Sequence, residues 1–179
     1  MKDEGRGVKG EAPPAVRIAP LAMADVDRLC ALASEIWHAH YPAIISVAQI
    51  EYMLKERYAP AVVRAELQRG DLWWDQLLVQ NRMTGFASYF LTGIAGEMEL
   101  DKLYVQQDHQ RKGYGGMLLD RAVTIARAYG CGTLALAVNK RNRNAVAAYE
   151  KYGFQIADAV VKDIGGGFEM DDFIMRKNV

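Results

Sequence analysis

The chain has 179 residues, with 22 Lys+Arg against 22 Asp+Glu and three His, so its formal charge is zero. At 51% hydrophobic and 25% charged it has the balance of an ordinary globular protein, of a length for one domain with one sizeable core. Neutrality argues against generic nucleic-acid binding, the apolar runs are too short to span a bilayer, and Cys30 and Cys131 make no disulfide framework, so the expected compartment is a reducing cytoplasm.

Residues 1–14 are rich in Gly, Lys, Glu and Pro without hydrophobic periodicity, and carry no apolar signal core. They read as a flexible leader to a single domain over residues 15–179. A short strand over Val16–Ala19 leads through Pro20 to a helical pattern from Ala24 to about His40. There Val26, Leu29, Cys30, Ala33, Ile36 and Trp37 recur at the three- and four-residue steps of one buried face. Tyr41-Pro42 ends that helix, and Ser46 caps a second one carrying Ile50, Met53 and Leu54. The pattern allows a short third helix over Ala59–Leu67. Leu72–Gln80, the turn Asn81-Arg82 and Met83–Leu91 then read as an antiparallel hairpin.

The next strand changes phase. Met98 and Leu100 put apolar residues on even positions, whereas Leu103 and Val105 put them on odd ones. Period-two alternation shifts phase only with an extra residue, which predicts a β-bulge near Asp101-Lys102. A bulge bends the strand and frees backbone groups for a ligand. An amphipathic helix follows over Gly113–Gly130, with Leu118, Ala122, Ile125, Ala126 and Tyr129 on its buried face. Thr133–Val138 is a continuous apolar run, as a strand buried on both faces requires. Ala145, Ala148, Tyr149 and Tyr152 mark a last helix closed by Gly153. Strands over about Phe154–Lys162 and Phe168–Met175 flank the turn Gly165-Gly166-Gly167. The sum is a mixed α/β sheet covered by helices.

Gln110-Arg111-Lys112-Gly113-Tyr114-Gly115-Gly116 lies between the bulged strand and its helix. Free N–H groups at a helix N-terminus, aided by the macrodipole, bind anions. Glycines allow close approach to the backbone, Arg111 and Lys112 add positive charge, and a pyrophosphate suits the site. A P-loop is ruled out by the missing Gly-Lys-Ser/Thr ending, and a dinucleotide fingerprint by Leu118 at the third glycine position.

The strand–loop–helix unit, the buried strand ending at Asn139, and the downstream spacing Asn142, Ala145, Tyr149, Gly153, Phe154 together resemble the GNAT superfamily of acyl-CoA-dependent N-acetyltransferases. Gln110, Gly113 and Gly115 match its phosphate-loop pattern, and the likeness spans roughly residues 97–154. It implies one α+β domain: a mixed, mostly antiparallel sheet of six or seven strands, a splayed central pair, and about four flanking helices. It implies acetyl-CoA as co-substrate, with no metal, held by main-chain groups of Leu103, Tyr104 and Val105, by the loop residues Gln110, Arg111, Lys112, Gly113, Tyr114, Gly115 and Gly116, and by the Asn142 side chain. It implies Tyr149 as general acid, and many relatives dimerise through C-terminal strands, for which Phe168–Met175 is available.

In such chemistry a neutral amine attacks the acetyl carbonyl and a thiolate leaves. Alkyl amines are mostly protonated at neutral pH, with a pKa of about 10, so a base or a water relay to one must take a proton. Glu97, Glu99 and Asp101 alternate along the strand entering the bulge and are expected on one face. Either Glu99 or Glu97 is the candidate base, and the amide of Leu103 or Tyr104 is the candidate donor to the carbonyl. The expected acceptor is a primary amine of a small molecule, with a cationic one favoured by the acidic run, or else of a peptide. Arg111, Lys112, Lys140, Arg141 and Arg143 are expected around the cofactor phosphates. The alternative function is a non-catalytic acyl-CoA sensor. His38 and His40, two apart on a helix, point about 200° from one another and cannot share an ion.

Overall fold

The described part of this computed structural model is residues 15–179, so the expected leader over 1–14 lies outside it. Chain order runs β1 (Val16–Pro20), α1 (Val26–His40), α2 (Val47–Tyr58), α3 (Pro60–Leu67), β2 (Leu72–Val79), β3 (Arg82–Leu91) and β4 (Glu97–Val105). It continues with α4 (Tyr114–Ala128), β5 (Thr133–Asn139), α5 (Arg143–Lys151), β6 (Gln155–Gly165) and β7 (Phe168–Asn178). The strands form one seven-stranded sheet in the order β1-β2-β3-β4-β5-β7-β6. Only the β4–β5 pair is parallel.

Local chemistry accounts for the boundaries. The Ser46 side chain accepts from the Gln49 amide at 3.1 Å, capping α2. Ala59 is extended, as a residue before proline prefers, and Pro60 opens α3. The β2–β3 turn falls on Gln80-Asn81, one residue earlier than the pattern suggested. Both have positive φ, 50° and 61°, which is the requirement of the two-residue turn that matches strand twist. β6 and β7 run longer than expected. Arg176, Lys177 and Asn178 continue the β5 pairing although they are polar, so hydropathy alone stops the strand too soon.

The bulge lies where the phase change put it. Ser88 pairs with Lys102 and Tyr89 with Leu100, leaving Asp101 as the extra residue. β4 pairs with β5 only from Glu97↔Thr133 to Leu100↔Leu136. Beyond Asp101, β4 continues along β3 as far as Val105↔Gly85, while β5 continues along β7 as far as Asn139↔Asp172. The two central strands therefore splay. Gly85 is required at this bend, since a Cβ there would stand 2.6 Å from the Tyr104 carbonyl oxygen.

Two apolar cores lie on opposite faces of the sheet. Under α4, Met98, Leu100, Leu118, Ala122, Leu134, Leu136 and Met175 are buried together. Under α1–α3, Leu29, Ile36, Trp37, Ile50, Tyr58, Trp74 and Phe86 form the second. Tyr129, expected on the buried face of α4, is its C-cap instead. It is 52% exposed and packs on Trp73 at 4.4 Å.

Candidate active site

A cavity of about 840 Å³ fills the gap between the splayed strands. One half is bounded by Leu103–Val105, the loop at 110–116 and α5, and the other by α1, α2, β6 and β7.

The loop is built as an anion cradle. A 3-10 turn over Gln107–His109 leads into it, and the Gln110 side-chain amide donates to the Val105 carbonyl at 2.9 Å, tying the loop to the end of β4. Arg111 and Gly113 both take positive φ, 57° and 85°, curling the chain into α4. The first intrahelical bond runs from the Met117 amide to the Gly113 carbonyl at 3.1 Å, and no side chain caps the helix. The amides of Tyr114, Gly115 and Gly116 are thus left for a ligand. A Cβ at Gly116 would meet nothing within 4 Å, so the space above these amides is open. A pyrophosphate fits this arrangement. Arg111 lines the cavity, whereas Lys112 is exposed outside it. The Tyr114 ring is buried against His109, leaving its main chain as the part that faces a ligand.

The other expected positive charges lie elsewhere. Arg141 donates to the carbonyls of Ile44 at 2.6 Å and Ala43 at 3.2 Å, Lys140 pairs with Asp171, and Arg143 does not line the cavity. Arg141 thus ties the end of β5 to the turn after α1, and Lys140 ties it to β7. Asn142 lines the cavity while its Oδ1 accepts from the Ala145 amide at 3.4 Å, capping α5 and leaving Nδ2 for a ligand.

Tyr149 projects from α5 into the cavity wall, its ring edge-on to Phe154 at 5.7 Å. Burial pushes its hydroxyl up to about 12, so it stays protonated at neutral pH and is available as a donor. Opposite, the Tyr41 and Tyr104 hydroxyls lie 3.0 Å apart, and Trp37 packs on Tyr41 at 4.3 Å. The Tyr104 ring belongs to this aromatic wall, so any contact with the cofactor half comes from its main chain.

The three acidic residues of β4 part company. Glu97 is held by Arg176 at 3.0 Å and by the Thr92 hydroxyl, and does not line the cavity. Asp101 is bonded by Arg57 and Lys102. Against the upward push of burial, Lys102 and Arg57 hold its carboxyl below the usual carboxylate range. Glu99 lines the cavity, and burial, then Asp101, raises its carboxyl above the ordinary value. One further carboxylate escaped the sequence reading. Asp172 of β7 lines the same cavity, its Oδ1 buried without a partner. Burial, then Asp171, pushes it up to about 6. The available signal was an acid in phase with Met170 and Ile174, on the face of β7 that turns inward.

No group of three or more His, Cys, Asp or Glu among the described residues is arranged to hold a metal ion. No described helix is long and apolar enough to cross a membrane.

The model of the acetyltransferase (GNAT) family matches residues 30–154. The chain belongs to this family. A spermidine N(1)-acetyltransferase of Thermoplasma acidophilum is 28% identical over 166 residues, 90% of this chain and 96% of the relative. The crystal structure of a PaiA N-acetyltransferase from the same organism, in complex with coenzyme A, superposes with a TM-score of 0.79. It has 27% identity and covers 92% of this chain and 99% of its own. A GCN5-related N-acetyltransferase from Rhodopseudomonas palustris has the same fold, with a TM-score of 0.77 at 24% identity over 97% of this chain and 100% of its own. This GNAT protein is therefore an acyl-CoA-dependent acyltransferase, an N-acetyltransferase with acetyl-CoA as its co-substrate.

Proposed function

We propose that this GNAT enzyme acetylates a primary amine of a cationic small molecule by direct attack in a ternary complex. Glu99 acts as base through water, and Tyr149 as acid. The observation that carries this reading is one continuous cavity. It runs from the uncapped start of α4, through the splay, to a chamber walled by Glu99, Tyr149 and the Trp37–Tyr41 aromatic pair. Acetyl-CoA supplies a thioester whose carbonyl an uncharged amine can attack.

The chain's own groups do the rest. The amides of Tyr114, Gly115 and Gly116 hold the pyrophosphate. Main-chain groups of Leu103, Tyr104 and Val105, with Asn142 Nδ2, orient the pantetheine arm. The amide beside the bulge polarises the carbonyl. Glu99, its proton affinity raised by burial, takes a proton from the incoming ammonium through water. Tyr149 donates to the departing sulfur. Direct attack is supported because neither cysteine lines the cavity. Burial, then Asp27, pushes the Cys30 thiol up to about 11, so it is not a thiolate at neutral pH. The similarity to a protein named spermidine N(1)-acetyltransferase supports a polyamine-like acceptor.

The test is thiol release from acetyl-CoA across a panel of amines, followed by two-substrate kinetics. Intersecting double-reciprocal lines support the ternary complex. Parallel lines overturn it, and acetyl-CoA binding without thiol release for every amine overturns the enzyme reading in favour of a sensor.

A further inference from the structure

Three carboxylates line the cavity, Glu99, Asp101 and Asp172, and one of them is not used by the proposed chemistry or by an ion pair. Glu99 and Tyr149 provide base and acid, and Asp101 is committed to Arg57 and Lys102. Asp172 remains, a carboxylate on the cavity wall whose Oδ1 is buried and unpartnered. Such a group is costly to keep in a fold unless a ligand completes it.

Its position relative to Glu99 follows from the sheet register. Glu99 pairs with Ala135, Ala135 with Arg176, and Asp172 lies four residues back along β7. Two strand spacings and four residues of rise separate the two Cα positions by about 16 Å. Both side chains line the cavity, and side chains stand roughly perpendicular to a sheet, so the carboxylates stay roughly 10–16 Å apart. A single amine cannot reach both.

The surroundings favour a cation at the Asp172 end. The charged and titratable groups around it are Tyr41 after α1, Arg57 on α2, Lys140 after β5, Asp171 beside it, and Lys162 on β6. Arg57 and Lys140 are already paired, with Asp101 and Asp171; Lys162 also lines the cavity, but it is solvent-exposed and makes no bond to the buried Asp172 Oδ1. No described side chain bonds Asp172 itself. The packed Trp37 and Tyr41 rings line the same cavity. They offer apolar contact to an alkyl chain and a π face to an ammonium.

We propose that Asp172 is the distal anionic subsite of the acceptor chamber, holding the second protonated nitrogen of a diamine or polyamine while the first nitrogen meets Glu99. This rests on the amine-acetylation reading above. It makes Asp172 a specificity-determining residue rather than a base. The raised proton affinity of its carboxyl is consistent with a group awaiting a counter-charge, and a bound ammonium would bring it down again.

The experiment compares n-alkylamines with α,ω-diamines of the same carbon count, and with spermidine, for the wild type, Asp172→Asn and Asp172→Glu. Acetyl-CoA affinity, measured by calorimetry, verifies that each variant is folded. The expected result is a wild-type preference for diamines. In Asp172→Asn the diamine-to-monoamine ratio of kcat/KM falls at least about ten-fold, through KM, which corresponds to about 1.4 kcal/mol. Asp172→Glu keeps the preference but moves its optimum to a shorter diamine. A direct readout is calorimetric binding of an unreactive bis-quaternary diamine, weakened by the same factor in Asp172→Asn. An unmoved ratio, no wild-type preference, or equal binding of the bis-quaternary probe by wild type and Asp172→Asn overturns the proposal. Acetylation of monoamines alone sinks the subsite and leaves the function standing. Absence of thiol release with every amine sinks the function, while probe binding still decides the subsite.

Discussion

Lys102→Met tests how the bulge is held. The Lys102 side chain is 2% exposed, and its ammonium pairs with Asp101, lies 3.6 Å from Glu66 Oε2, and sits 4.7 Å over the Trp74 ring. Methionine keeps an unbranched apolar chain and removes the charge. Removing one partner of a buried ion pair costs about 3–5 kcal/mol. Arg57 still compensates Asp101, which puts the expected loss near the lower end, about 3 kcal/mol. For a chain of this size each kcal/mol moves Tm by about 2–4 °C, so a fall of about 6–12 °C is expected. Urea denaturation should give the same loss with an unchanged m-value. The double variant with Asp101→Asn should recover about 1–3 kcal/mol of coupling. The pH dependence has a definite sign. Asp101 has a lowered folded pKa, so its stabilisation is present above the unfolded value of about 3.9 and is lost as pH falls through the folded one. A loss below about 1 kcal/mol, or strictly additive single effects, would refute the view that this pair pins the bulge.

Other outcomes follow from the same geometry. Tyr149→Phe should lower kcat by about 10²-fold while acetyl-CoA affinity by calorimetry stays put; a wild-type rate removes Tyr149 from the acid role. Glu99→Gln should abolish the acid limb of kcat/KM. In the wild type activity should rise with pH through a value above the free glutamate pKa of about 4.3, because burial raises the folded one. A limb that persists in the variant assigns the base elsewhere. Gly113→Ala has room for its methyl but must adopt φ near 85°. The strain of about 1–2 kcal/mol should lower Tm by about 2–8 °C and weaken CoA binding in calorimetry. Unchanged affinity would separate the loop curl from phosphate binding.

What was legible in the sequence was what local pattern can encode. The bulge followed from Met98, Leu100, Leu103 and Val105, because alternation cannot change phase otherwise. The curled, uncapped start of α4 followed from the glycines before an amphipathic helix. The partition of charge was not legible. Glu97 looked equivalent to Glu99 until the fold brought the side chain of Arg176, 79 residues away, diagonally across β5 to bond it. Lys140 and Arg141 looked like phosphate ligands, but β7 and the turn after α1 take them. Asp172 enters the cavity through its register with Asn139, a pairing between segments separated by α5 and a hairpin. The fold was therefore readable from periodicity and resemblance. The chamber proposed for the acceptor was not, because long-range pairing builds it.

The four register pairs between β4 and β5 make a short seam between two rafts, β1–β4 on one side and β5–β7 on the other. Past Leu100 and Leu136 the rafts have no rungs in common. A cofactor arm laid in that gap, as proposed above, would supply the missing rungs and act as a piece of the architecture as well as a reactant. Binding then tightens the molecule by an amount set by ligand concentration over dissociation constant. A substitution at Leu136, on the seam but outside the cavity lining, then changes affinity without touching the ligand. Grip on the cofactor and stiffness of the sheet are one property, measured from two ends.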